Sequence, residues 1–164
     1  MDASATAGWG NFFVAEVSAA AALTGLLFVA VSINLTKILA LPQLPGRAGE
    51  SLIILVTVLV VATLGLVPGQ SPEALGAEIL GVGLVAWAYP MAIQRRAAAV
   101  PDTRRMWIVV RALSHQLATL PFLIAGASLL AGTGGGLYWL VAGTIFSIGT
   151  SILNSWVLLV EIQR

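Results

Sequence analysis

Five long apolar runs, separated by short stretches rich in polar residues, proline or glycine, make up almost the whole chain. A bilayer core of about 30 Å is crossed by about 20 helical residues, and runs of this length supply them. The predicted spans cover residues 11–41, 50–67, 72–93, 106–131 and 137–161. The pattern predicts an all-α fold in which residues 1–164 form one transmembrane domain, a polytopic bundle of five helices.

The first run is longer than a membrane requires, so we expect it to tilt, kink or extend beyond the bilayer. Glu16 and Asn34 lie 18 residues apart in it, which at about 100° per residue places them on one helix face. Two prolines in residues 41–46 then predict a loop.

The second run, residues 50–67, is almost wholly aliphatic, and we expect it to face lipid more than the other helices. Glu50 stands at its predicted start, where a carboxylate favours the positive end of a helix.

Composition narrows the class of protein. The chain is 59% hydrophobic and 9% charged, whereas soluble domains carry about 25% charged residues. The net charge of +1, with no stripe of basic residues, argues against nucleic-acid binding. There is no cysteine and a single histidine, so we predict neither a metal centre nor a cofactor.

Catalytic motifs are absent from the sequence. It contains no HExxH or Gly-x-Ser-x-Gly motif and no pair of intramembrane aspartates, and its loops are too short to hold a catalytic domain. The TVGYG filter of potassium channels is also absent. We therefore expect a protein that is not an enzyme.

Basic residues are distributed unevenly between the predicted loops. With five spans, the first loop, the third loop and the C-terminus lie on one side of the membrane, and the other side carries no lysine or arginine. The positive-inside rule then predicts a multi-pass protein of the plasma (inner) membrane, with the N-terminus outside and the C-terminus in the cytoplasm.

The fourth run carries two basic side chains where lipid would be expected. Arg111 and His115 lie four residues apart and share a helix face. An ionised group at the membrane centre costs about 2.5–3.5 kcal/mol on insertion scales. We expect Arg111 either to reach the headgroups or to pair with a polar group at its depth, and the candidates are Asn34, Asn154 and Glu161. His115 is either a buried structural histidine or a functional one.

Small residues recur at helical spacing in two runs. Ala77 and Gly81 have the small-xxx-small spacing of close helix contacts. In the fifth run, small residues recur every four positions, and polar residues flank them: Gly143, Ser147, Ser151 and Ser155, with Thr150 and Asn154 alongside. This stripe predicts either tight helix packing or the wall of a water-filled path. Such faces also favour a symmetric homo-oligomer.

Polar groups at several depths favour a small homo-oligomeric ion channel or pore-type transporter. The residues expected along the path are Glu16, Asn34, Glu78, Arg111, His115, Ser147, Thr150 and Asn154. Two alternatives stay open. One is a non-conducting assembly or regulatory subunit of another membrane complex. The other is a lipid-binding protein in which Arg111 holds the phosphate of an anionic lipid.

Overall fold

A computed structural model describes residues 8–41, 44–98 and 105–162, and it is helical through most of these ranges. Five of the six helices, all except the short α2, are long and apolar enough to cross a membrane. The helices are α1 Gly10–Ile33, α2 Leu35–Ala40, α3 Leu44–Leu64, α4 Pro72–Ala98, α5 Arg105–Ala131 and α6 Tyr138–Ile162. The predicted all-α bundle of five membrane-spanning helices is confirmed.

Four of the helices form a ring, and α1 stands outside it. Helix α4 packs most extensively against α5, α5 also packs against α6, and α3 contacts both α4 and α6. Helices α3 and α5 are therefore diagonal partners across the bundle. Helix α1 packs along α3 and touches α6 only slightly.

Charge distinguishes the two ends of the bundle. Helices α3 and α5 begin at the end that carries Lys37 and Arg47, which we call the basic end. Glu73 and Glu78 lie at the opposite end, where α4 begins, which we call the acidic end. The halves of the bundle adjoining these ends are named in the same way.

The core of the acidic half is mainly apolar, although Thr57, Ser128 and Thr144 are also buried there. Its buried centre is one cluster of hydrophobic residues that includes Phe13, Val58, Ile79, Phe122 and Leu140. Because apolar side chains gain nothing by leaving lipid for one another, this core depends on close contact between matching shapes.

Glycines allow those close contacts. The backbones of α4 and α5 cross at Gly76 and Gly126, where a Cβ atom added to Gly126 would lie 2.7 Å from the Leu80 nitrogen and 2.8 Å from the Gly76 oxygen. The ring of Phe13 lies over Gly65 in the same way, and that of Phe122 lies over Gly143. Larger residues at these glycines would push the helices apart.

The second run does not face lipid most, so that expectation was wrong. Half of the span in α3 is buried inside the structure, against 11% of the span in α1, although their mean hydropathies are 1.9 and 2.0. Lipid tails are as apolar as leucine side chains, so hydropathy alone cannot distinguish a helix within a bundle from one at its edge.

Helix α3 also starts earlier than expected, since Leu44, Pro45 and Gly46 are helical and are not part of a loop. Proline is tolerated in the first turn of a helix because the N–H groups there have no intrahelical acceptor. Glu50 consequently lies about 9 Å inside the helix, at 1.5 Å per residue, and not at its start.

The long first run breaks at Asn34, in agreement with the expected kink. The backbone N–H and the side-chain Nδ2 of Asn34 both donate to the carbonyl oxygen of Ala30, at 3.3 Å and 3.0 Å. Such local side-chain bonds compete with the helical ladder. Beyond the break, Ile38 of α2 packs with Leu44, Ala48 and Leu158.

A buried polar cluster as the candidate functional site

Arg111 and Glu50 form an ion pair inside the basic half of the bundle. Nε of Arg111 donates to Oε2 of Glu50, and Nη2 donates to Oε1, both at 2.8 Å. The side chain of Glu50 is 3% exposed and that of Arg111 is 18% exposed. Two parallel charge-assisted bonds of this length are the strongest pairing these groups can make.

This pairing joins diagonal helices. Glu50 belongs to α3 and Arg111 to α5, and their long side chains span the middle of the ring. Gly46 contributes to the space for the guanidinium, since Nη2 of Arg111 lies 3.4 Å from the point where a Cβ atom at residue 46 would stand. The partners expected for Arg111 from the sequence were Asn34, Asn154 and Glu161, and the structure pairs it with Glu50. The physical reason is the earlier start of α3, which carries Glu50 to the depth of Arg111.

His115 is buried one turn deeper on α5. It is 2% exposed, and its Nε2 lies 3.2 Å from the carbonyl oxygen of Trp87 on α4. Since a carbonyl can only accept, Nε2 carries the proton in this contact, and a neutral imidazole then has an acceptor at Nδ1. The backbone carbonyl of His115 accepts from the hydroxyl of Thr119 at 2.8 Å.

The carbonyl that His115 engages lies three residues before Pro90. Proline lacks an N–H and its ring crowds the preceding turn, which weakens the helical ladder there. The same arrangement recurs on α5, where Ser147 of α6 donates at 3.1 Å to the carbonyl of Ala118, three residues before Pro121. In both places a side chain from the next helix supplies a hydrogen bond beside an intrahelical proline, as membrane helices require.

Three buried polar atoms of the basic half have no hydrogen-bond partner among the residues that the structure describes: Oγ of Ser51, Nε2 of Gln94 and Nδ1 of His115. Ser51 follows Glu50 directly, and Gln94 lies two turns beyond Trp87 toward the basic end. Leaving such groups unpaired costs about 1–3 kcal/mol each. Buried groups of this kind are normally satisfied by water or by a bound solute.

The polar stripe of α6 faces the inside of the bundle and packs on α3 and α5. Ser151 donates to the carbonyl of Ser51 at 3.3 Å, and Thr150 lies 3.5 Å from the carbonyl of Ser114. Together with Ser147 and Gly143, these residues hold α6 against α3 and α5. Asn154 is half-buried on the same helix. The contacts of Ser147, Thr150 and Ser151 are thus those of helix packing, the first of the two alternatives predicted for this stripe.

The remaining predicted residues lie away from the cluster. Glu78 is exposed on α4 and accepts a hydrogen bond from Gln70, and Asn34 is bonded within its own turn. Glu16 is half-buried on α1, beside the hydroxyl of Thr144, and its Oε2 atom has no hydrogen-bond partner within the described part of the chain.

The basic half contains Arg111 and His115 together with three buried polar residues that the sequence analysis did not place along the path: Glu50, Ser51 and Gln94. A further side-chain bond near the cluster joins α4 to α5, since the indole of Trp87 donates to Gln116 at 2.9 Å. Because α3 and α5 are separated in sequence and meet only diagonally, no spacing along the chain reveals the pair. The one available signal was the presence of a carboxylate and a guanidinium in two apolar runs.

Over the described ranges, no group of three histidine, cysteine, aspartate or glutamate side chains is placed to hold a metal ion. Comparison of the chain with known protein families, curated proteins and solved structures found no match.

Proposed function

We propose that this is a small ion-transport protein of the inner membrane, with its N-terminus outside, in which each chain's own bundle encloses the path. The cluster of Glu50, Arg111 and His115 would be the site that the ion occupies. The observation that carries the proposal is the ion pair itself, which lies across the diagonal of a bundle that could be closed with apolar residues alone.

A buried ion pair is a weak device for stability. Its desolvation cost often exceeds its attraction, and well-packed hydrophobic residues commonly replace it without loss. Ionisable residues inside membrane helices are instead typical of ion pathways and proton relays. The pair of Glu50 and Arg111 therefore favours a function that needs the carboxylate.

Protons are the ion that this site fits best. A carboxylate and an imidazole relay protons without a wide pore, and the unpaired atoms of Ser51, Gln94 and His115 can hold water at the basic end. The mainly apolar core of the acidic half separates this cluster from Glu16. We interpret the structure as a closed state, in which helix movement must wet that core before Glu16 and the cluster communicate.

Purified protein in liposomes, driven by a pH gradient or a membrane potential, tests the proposal through an internal pH-sensitive dye. Wild-type protein should pass protons, and Glu50→Gln, which keeps the shape and removes the charge, should reduce the flux by at least about tenfold. Glu73→Gln removes an exposed carboxylate at the acidic end and serves as the matched control. Folded wild-type protein that passes no protons under either driving force would overturn the proposal.

A non-conducting assembly or regulatory subunit is the second candidate, and one observation favours it. Helix α1 exposes a row of small residues at alternating spacings of four and three: Asn11, Ala15, Ser18, Ala22, Gly25, Val29 and Ser32. This is the spacing of a helix–helix seam, and Ala77 and Gly81 are likewise exposed on α4, since Gly76 and Gly83 make the contacts within the chain.

Because the chain contains no cysteine, a single Ala22→Cys variant permits crosslinking in native membranes at one chosen site. A self-crosslinked product supports a homo-oligomer, whereas a crosslink to a different protein supports the assembly role. An anionic lipid at Arg111, the third alternative, would have to displace the Glu50 carboxylate from the guanidinium, and the pairing distances do not favour it.

A further inference from the structure

A groove of about 310 Å³ runs along the outer surface of the protein between α1 and α6. It exists because α1 packs on α3 while touching α6 only slightly, so that Leu55 of α3 forms its floor. The walls are Leu23, Leu26, Leu27 and Ala30 on α1, and Ser151, Ile152, Ser155, Trp156 and Leu159 on α6. All of these residues belong to predicted membrane spans, so the groove opens toward acyl chains.

The groove offers an occupant no free hydroxyl donor among its serines. The hydroxyl of Ser151 donates to Ser51, and that of Ser155 donates to Ser151 at 2.7 Å. The remaining lining side chains are hydrocarbon apart from the indole of Trp156. An apolar chain therefore fits this surface, whereas a polar solute would lose its own hydrogen bonds on entering it.

The mouth of the groove at the basic end lies beside a cation. Ile38 of α2 packs against Leu158, the neighbour of the lining residue Leu159, and this contact brings α2 to the end of the groove. Lys37, next to Ile38, is exposed there. A lysine at this end of an acyl-chain groove can meet a lipid phosphate. Trp156, which is 66% exposed, lines the groove near the same end and suits the boundary between acyl chains and headgroups.

We propose that this groove binds one anionic phospholipid, with an acyl chain along α1 and α6 and its phosphate at Lys37. The site is distinct from the polar cluster, and it does not depend on the proposed transport function.

Two variants and two controls test the groove. Ala30→Phe places a ring inside it without touching the buried core, and Ala21→Phe makes the same change at an exposed position of α1 outside the groove. Lys37→Gln removes the cation at the mouth, and Glu161→Gln removes an exposed carboxylate at the same end of the bundle. Each protein is equilibrated with vesicles containing phosphatidylglycerol and phosphatidylcholine, extracted in detergent, and measured by native mass spectrometry.

Wild-type protein should retain about one phospholipid per chain, enriched in phosphatidylglycerol, as should Ala21→Phe and Glu161→Gln. Ala30→Phe should lower the retained lipid by at least about tenfold. Lys37→Gln should keep a lipid but lose the preference for phosphatidylglycerol. Equal retention in the wild type and in Ala30→Phe would overturn the proposal, as would an unchanged preference in Lys37→Gln. If Ala30→Phe instead abolished an oligomer and left the lipid content unchanged, the groove would belong to a second copy of the chain.

Discussion

The acidic and basic halves of this bundle solve the same packing problem with different chemistry. In the acidic half, glycines at the crossings of α4 and α5 let backbones touch, and rings fill the remaining space. In the basic half, Glu50 and Arg111 join diagonal helices, and His115 bridges to α4. Close apolar packing dominates the first half, whereas an ion pair and hydrogen bonds between helices characterise the second half. Buried polar groups of this kind add little to the stability of a membrane bundle, so their presence favours a functional role.

Breaking the ion pair on one side should have the largest effect on stability. Arg111→Leu leaves the Glu50 carboxylate buried without a partner, so the free energy of unfolding should fall by about 3–5 kcal/mol. Denaturation in mixed micelles, followed by circular dichroism, measures the change.

The double variant Glu50→Leu with Arg111→Leu sharpens that result. Apolar residues of similar size should recover most of the stability, while proton flux in liposomes stays abolished. A double variant that still conducts would remove the pair from the transport path. One that remains as unstable as Arg111→Leu would show that the pair is needed for the fold.

Placing a larger residue at a glycine crossing in the acidic half should produce the next largest loss of stability. Gly126→Ala places a methyl group 2.7 Å from the Leu80 nitrogen and 2.8 Å from the Gly76 oxygen. Both neighbours are backbone atoms, so α4 and α5 must separate, at a cost of about 1–3 kcal/mol. Gly81→Ala is the control, because nothing lies within 4 Å of its added methyl group. Equal thermal unfolding of the two variants would mean that the glycine crossing does not determine the packing.

Removing the bridge beside Pro121 should have a smaller effect. Ser147→Ala deletes the donor to the Ala118 carbonyl, and side-chain bonds between membrane helices average about 0.6 kcal/mol. The same micelle denaturation resolves this loss if the two proteins are compared in parallel. A loss as large as that of Arg111→Leu would contradict the view that this single hydrogen bond contributes little to the stability.

The smallest change, and one of opposite sign, is expected at Ser51. Its hydroxyl is fully buried and has no partner among the described residues, so Ser51→Ala should leave the stability unchanged or raise it slightly unless water bonds the hydroxyl. Ser151→Ala, one helix away, loses a hydrogen bond to the Ser51 carbonyl and should be the less stable of the two. A clear destabilisation by Ser51→Ala would show that water or a solute bonds this hydroxyl, which would strengthen the case for a wet basic half.

The sequence alone determined the number of membrane-spanning helices, because length and apolar content are properties of each run by itself. It also identified Arg111 and His115, since a charge in an apolar run needs an explanation wherever its neighbours lie. It could not identify Glu50 as the partner, because the start of α3 depends on the packing of Leu44 and Ala48 with Ile38 and Leu158.

Only the tertiary structure decided which helix is central. Helices α1 and α3 have nearly the same mean hydropathy, yet one lies at the edge and the other inside the bundle. Leucine gains as much from lipid as from another leucine, so the choice depends on the fit of Phe13 over Gly65 and of Gly76 against Gly126. Those contacts join residues far apart in the chain, and their complementarity exists only once the helices have met.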